Sequence, residues 1–100
     1  MVRVLDECKA LANETRLRVL EWLKEPDVHF PGRACDTAEL GVCAGLIQQK
    51  AGTSASTIST HLAILQRAGF VTGTRRGQWI YYRRDDARIR AFTAQLQRVL

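Results

Sequence analysis

Residues 46–69 read LIQQKAGTSASTISTHLAILQRAG, and the break at Ala51-Gly52-Thr53-Ser54 in its middle decides the fold. Before the break, a helix over Glu39 to Ala51 is expected, with Leu40, Cys43, Leu46 and Ile47 on one face; Gly41 and Gly45 weaken its start. After it, Ala55 to Arg67 carries Ile58, Leu62 and Leu65 at i, i+4 and i+7, and Gly69 serves as its C-terminal cap. Thr53 or Ser54 can accept hydrogen bonds from the first N–H groups of that second helix. Two helices joined by a short glycine-containing turn form a helix-turn-helix, whose second helix enters the major groove of DNA.

The polar face of the second helix carries Ser56, Thr57, Ser59, Thr60 and His61. Ser and Thr are weak helix formers, so four of them together with His61, and no Glu, Asp or Lys, make a poor ordinary surface. They are short donors and acceptors that can approach phosphates and base edges. With no Arg on the face, bidentate reading of guanine is not available there, and specificity leans on small polar contacts and DNA shape.

Downstream the period switches from helical to alternating. Phe70 to Arg75 and Gln78 to Arg84 read as two strands around Arg76-Gly77. The tip Arg75-Arg76-Gly77-Gln78 suits a wing beside the recognition helix, and Lys50 and Arg67 are candidate phosphate contacts. Asp85-Asp86 can cap a last helix whose Ile89, Phe92, Leu96 and Val99 form a narrow apolar stripe. Upstream, Val4, Leu5, Cys8 and Leu11 suit one face of a first helix. Asn13 caps a second helix that Pro26 stops, and Pro26–Thr37 reads as a long irregular loop. The expected fold is mainly α with a β-hairpin wing, in the order helix-helix-helix-helix-hairpin-helix, as one domain over residues 1–100.

Charge follows the same division. The net charge is +5, yet residues 1–50 hold seven basic and eight acidic side chains, against eight and two in residues 51–100. No acidic residue lies between Ala51 and Arg84. Surplus positive charge confined to the proposed recognition helix and wing points to a polyanion, duplex DNA above all. No run of 18 apolar residues is present to span a membrane. Arg3, Asp6, Glu7 and Lys9 interrupt the N-terminus where a signal peptide needs an apolar stretch, so a cytoplasmic protein is expected.

LANETRLRVLEWL from Leu11 to Leu23, STISTHLAILQRAGFV from Ser56 and RRGQWIYYR from Arg75 together resemble the ArsR/SmtB family of bacterial winged-helix repressors. The resemblance spans roughly residues 8–84 in the family's order. It implies a homodimer joined by its first and last helices, two recognition helices on a two-fold operator, and release from DNA by an effector. Ser56 to His61 match the family's recognition-helix positions, and Arg75 to Gln78 match its wing tip.

The effector is left open. Arsenic and cadmium sensors of the family carry Cys-Val-Cys where this chain has Gly41-Val42-Cys43, and the family's other metal site needs His on the last helix, which has none. No metal and no cofactor are therefore expected. Cys8, Cys35 and Cys43 form an odd set with no C-x-x-C pair, which argues against a disulfide framework or zinc finger. Three uses of these thiols are open: small apolar core residues, a redox or electrophile sensor starting at Cys35, or ligands for a soft thiophilic ion. An enzyme is not expected, because a thiol nucleophile needs a positioned His and only His29 and His61 exist. A winged helix that binds another protein instead of DNA is the rival reading.

Overall fold

The computed structural model describes residues 3–32 and 40–100. Among these described residues, six helices and three strands follow one another as α1 (Val4–Leu11), α2 (Glu14–Lys24), α3 (Pro26–His29), β1 (Val42–Cys43), α4 (Ala44–Ala51), α5 (Ala55–Arg67), β2 (Val71–Arg76), β3 (Trp79–Arg84) and α6 (Asp86–Val99). The strands form one antiparallel sheet in the order β1-β3-β2. This is a winged helix-turn-helix. No helix among the described residues is long and apolar enough to cross a membrane.

The helix ends explain much of the chain's path. Asn13 Oδ1 accepts from the Arg16 N–H at 3.0 Å and starts α2. Ser54 Oγ accepts from the Thr57 N–H at 3.1 Å and starts α5, and Asp85 Oδ1 accepts from the Arg88 N–H at 3.1 Å and starts α6. Each cap contributes about 1 kcal/mol by satisfying an N–H that has no partner within its helix. At the far end of α5, the Phe70 N–H reaches the Leu65 carbonyl and the Gly69 N–H reaches that of Gln66, both at 3.0 Å. Gly69 sits at φ +91° between them, which is the Schellman arrangement. It turns the chain straight from α5 into β2, with Phe70 buried at the corner.

The core gathers one stripe from each long helix. Val19, Leu20 and Leu23 of α2 meet Ile58, Leu62 and Leu65 of α5, with Val42, Ile47, Phe70, Val71 and Phe92 around them. Burying a side chain of this size stabilises the fold by about 1.5–3 kcal/mol. Phe70 and Phe92 meet edge to face with ring centroids 5.3 Å apart.

The structure refines the expected order in two places. The helix anticipated over Glu39 to Ala51 begins only at Ala44, because Val42 and Cys43 are extended and pair with Tyr82 and Tyr81 of β3. Leu40 and Cys43 therefore do not share a helical face with Leu46 and Ile47. Gly41 makes the pairing possible: it lies at φ +99°, and a Cβ there would run into the Tyr82 carbonyl. Second, Pro26 does more than stop α2. It occupies the first turn of α3, where its missing N–H costs nothing, so the start of the expected irregular loop is helical. Phe30 follows, buried, and packs edge to face on Trp22. The remainder of that loop from residue 33 onward lies outside the described residues.

The apolar stripe of α6 is also divided. Phe92 is buried within the chain's own core, and Ile89 and Leu96 pack against it. Val99 and, on the neighbouring α1, Leu5 stay exposed, at 68% and 55%.

Candidate nucleic-acid interface

Gly52, Thr53 and Ser54 join α4 to α5, with Gly52 in the left-handed region at φ +70°. Beyond the turn, Ser54 Oγ accepts from the Thr57 N–H and donates to Thr57 Oγ1 at 2.9 Å, so one hydroxyl fixes both the helix start and the Thr57 side chain. Thr60 Oγ1 donates back to the Ser56 carbonyl at 3.0 Å. Ser59 is exposed, and its side chain makes no hydrogen bond to the described residues. Ser56, Thr57, Ser59 and Thr60 are all exposed, as a DNA-reading face requires.

His61 differs from these four. It is half-buried, and its Nδ1 lies 3.0 Å from Nη1 of Arg16 on α2. A guanidinium only donates, so Nδ1 accepts and the ring proton belongs on Nε2. Burial first, and the Arg16 charge second, lower the His61 pKa from its ordinary 6.5. The residue is therefore a neutral imidazole held from behind, not a charged phosphate contact. Arg16 itself is anchored by its Nε on the Ala10 carbonyl at 2.6 Å and, more weakly, by Nη2 on that of Lys9 at 3.4 Å. Its guanidinium thus closes the C-terminal end of α1, where positive charge is favoured by the helix dipole. The sequence gives no sign of this role, because Arg16 looks like one more polar residue on an amphipathic helix.

The wing is a two-residue hairpin. Arg76 pairs with Trp79 across Gly77-Gln78, and Gly77 at φ +61° supplies the conformation that the turn demands. Arg75, Arg76 and Gln78 are exposed at the tip, and Trp79 is 52% exposed on the same face as Arg76. The two remaining basic candidates are placed less favourably. The Lys50 ammonium lies 5.4 Å from the Trp22 ring and 5.8 Å from that of Phe30, a cation–π position on the α2–α3 side. Arg67 ends α5, about 15 Å along the axis from Thr57 at 1.5 Å per residue, and it lines a cleft against α1. Arg84 is taken up internally, donating to the Leu20 carbonyl at 2.9 Å and pairing with Asp86 at 3.0 Å.

Comparison with known proteins gives the same answer as the geometry. Residues 11–74 match the family model of a helix-turn-helix domain. Over 82 residues the chain is 48% identical to the uncharacterized HTH-type transcriptional regulator YbzH of Bacillus subtilis (strain 168), a match covering 81% of this chain and 82% of that protein. Among solved structures, it is similar to a homodimeric winged helix-turn-helix DNA-binding domain from Mycobacterium bovis, a possible ArsR-family transcriptional regulator. That likeness has 30% identity and a TM-score of 0.66, and covers 96% of this chain and 76% of the other. The chain belongs to the ArsR family of transcriptional regulators. HlyU from Vibrio cholerae N16961 is a further structural relative of this ArsR-family chain, at 26% identity and TM-score 0.65, covering 95% of this chain and 88% of that one. DNA binding and transcription regulation are the business of this family.

The cysteines of this ArsR-family chain are less prominent. Cys8 is half-buried and packs against the core from α1, and Cys43 is buried at the end of β1. Cys35 lies outside the described residues. Among the described residues no three His, Cys, Asp or Glu side chains are grouped to hold a metal ion.

Proposed function

We propose that the chain is a homodimeric transcriptional repressor that binds a two-fold operator in duplex DNA and leaves it when an effector arrives. The observation that carries this reading is the acid-free segment Ala51–Arg84, which supplies both the exposed face of α5 and the wing tip. Ser56, Thr57, Ser59 and Thr60 approach base edges and phosphates, and His61 offers a neutral N–H. Arg75, Arg76 and Gln78 of the wing reach an adjacent groove or phosphate row, with Lys50 and Arg67 as outlying positive charges. Dimerisation uses α1 and α6, whose Leu5 and Val99 are exposed side chains of adjoining helices. The homodimeric state of the Mycobacterium bovis relative supports this assembly. Two recognition helices then stand about 34–36 Å apart, one turn of the duplex.

The test is binding to the duplex upstream of the protein's own gene, in competition with unrelated duplex and across salt concentrations. Preference for one site and a steep fall in affinity with salt are expected, because Lys and Arg contacts release phosphate counterions. Equal affinity for every duplex, or indifference to salt, rejects the reading. A winged helix that serves a protein partner would give that result. Thiol oxidation as the releasing signal is the finer part of the proposal. The complex is expected to dissociate with peroxide-treated protein; release by arsenite alone would instead support a thiophilic metal sensor, and no response to either would leave the cysteines structural.

A further inference from the structure

Behind the recognition helix, α1, α2 and α5 enclose an open cleft of about 520 Å³ lined by Asp6, Lys9, Ala10, Arg16, Ile64, Arg67 and Ala68. Its size is that of a small-molecule site, for which ~300–1,000 Å³ is usual. Three cations face one carboxylate. Neither Lys9 nor Arg67 has an ion-pair partner among the described residues, and Asp6 is exposed on the first turn of α1. Ala10 and Ala68 are buried and Ile64 is half-buried, which gives the cleft a small apolar floor. Arg16 uses three of its five N–H groups, one each on Ala10, Lys9 and His61, and keeps one on each terminal nitrogen.

We propose that this cleft binds a small multivalent oxyanion, carboxylate or phosphate, and that occupancy is relayed to the recognition helix through Arg16 and His61. The anion pairs with Lys9 and Arg67 and draws the terminal nitrogens of Arg16 toward itself. Nδ1 of His61 then loses the donor that fixes its ring, and the orientation of the Nε2–H is no longer held. Negative charge also accumulates behind a helix that must face phosphates. Both effects weaken DNA binding, and by linkage DNA weakens anion binding by the same factor. The relay rests on the DNA-binding reading given above; the anion site does not.

The experiment has two arms, both at a constant ionic strength of about 0.15 M. In the first, purified protein without DNA is titrated calorimetrically with citrate and with inorganic pyrophosphate, as wild type and as Lys9→Gln. Saturable binding of at least one anion is expected, weakened about fivefold by Lys9→Gln, as befits loss of one exposed charge pair. The preferred anion distinguishes a carboxylate from a phosphate ligand. No saturable binding, or binding that Lys9→Gln leaves unchanged, overturns the site. In the second arm, affinity for the duplex upstream of the gene is measured with and without the bound anion. Wild type is expected to lose affinity severalfold, and Lys9→Gln to match wild type without anion but respond less to it. Lys9-dependent anion binding that leaves DNA affinity untouched overturns the relay alone. Anion binding by a protein that shows no DNA preference overturns the regulatory reading and the relay, and retains the cleft.

Discussion

Arg16 donates from Nη1 to Nδ1 of His61 at 3.0 Å, tying α2 and the end of α1 to α5, the second helix of the helix-turn-helix, across 45 residues of sequence. The pair fixes a tautomer, and with it a pH dependence. Because the His61 pKa lies below 6.5, the folded chain binds fewer protons than the unfolded chain just under that pH. Stability from this residue is complete above pH 6.5 and is lost as the pH falls through the lowered folded value. Thermal unfolding of wild type should therefore move to lower temperature between about pH 7 and pH 5.5. His61→Gln keeps an acceptor for Arg16 but cannot titrate, and should show a smaller drop over the same interval. Equal drops would mean that other groups set the acid response.

Gly41→Ala tests the short strand. At φ +99° a side chain is strained, and its Cβ collides with the Tyr82 backbone. A loss of about 2 kcal/mol or more in urea unfolding is expected, combining the left-handed penalty with displacement of β1. A loss below about 0.5 kcal/mol would show that β1 detaches from β3 at little cost.

Phe92 and Val99 lie seven residues apart on α6 and should behave differently. Phe92→Ala empties a position in the core against Phe70, so it should cost about 3–5 kcal/mol of folding stability. Leu5→Ser with Val99→Ser alters two exposed positions and should leave the fold of each chain intact. In sedimentation it should weaken self-association by tenfold or more, at ~0.8 kcal/mol per buried methylene. An unaffected dimer would place the interface elsewhere.

On the DNA side, Arg76→Ala should lower affinity for every duplex and reduce the salt slope by about one unit, as expected for one lost phosphate contact. Ser59→Ala should instead change the preferred sequence with little effect on overall affinity. Filter binding or fluorescence anisotropy over a panel of duplexes checks both, and an Arg76→Ala protein with wild-type affinities would remove the wing from the interface.

Features carried by neighbouring residues were legible in the sequence. Asn13, Ser54 and Asp85 cap the helices they precede, Gly69 closes α5, and the change from a helical to an alternating period marks the hairpin. The two-residue strand β1 was not legible, because Leu40 and Cys43 also fit a helical stripe and only contact with Tyr81 and Tyr82 makes their segment extended. Pro26 looked like a stop because proline ends one helix and begins another with the same fixed φ. The Arg16–His61 pair was hidden for a different reason: it joins distant residues, each of which suits a solvated surface. Nor did the spacing of Ile89, Phe92, Leu96 and Val99 separate the positions facing the core from those facing outward.

The pairing of Val42 with Tyr82 and Cys43 with Tyr81 fastens the wing to the strand that leads directly into α4. A wing held only by its own hairpin could swing independently and adjust to different groove widths. Here β1 joins the hairpin to the helix-turn-helix through one sheet, so the two are expected to move together as one head on DNA. In a dimer of such heads, fit to DNA is set by their separation and rotational phase. Inserting half a helical turn between half-sites, about 5 bp, would put the two heads on opposite sides of the duplex, a mismatch that bending of the wing could not absorb.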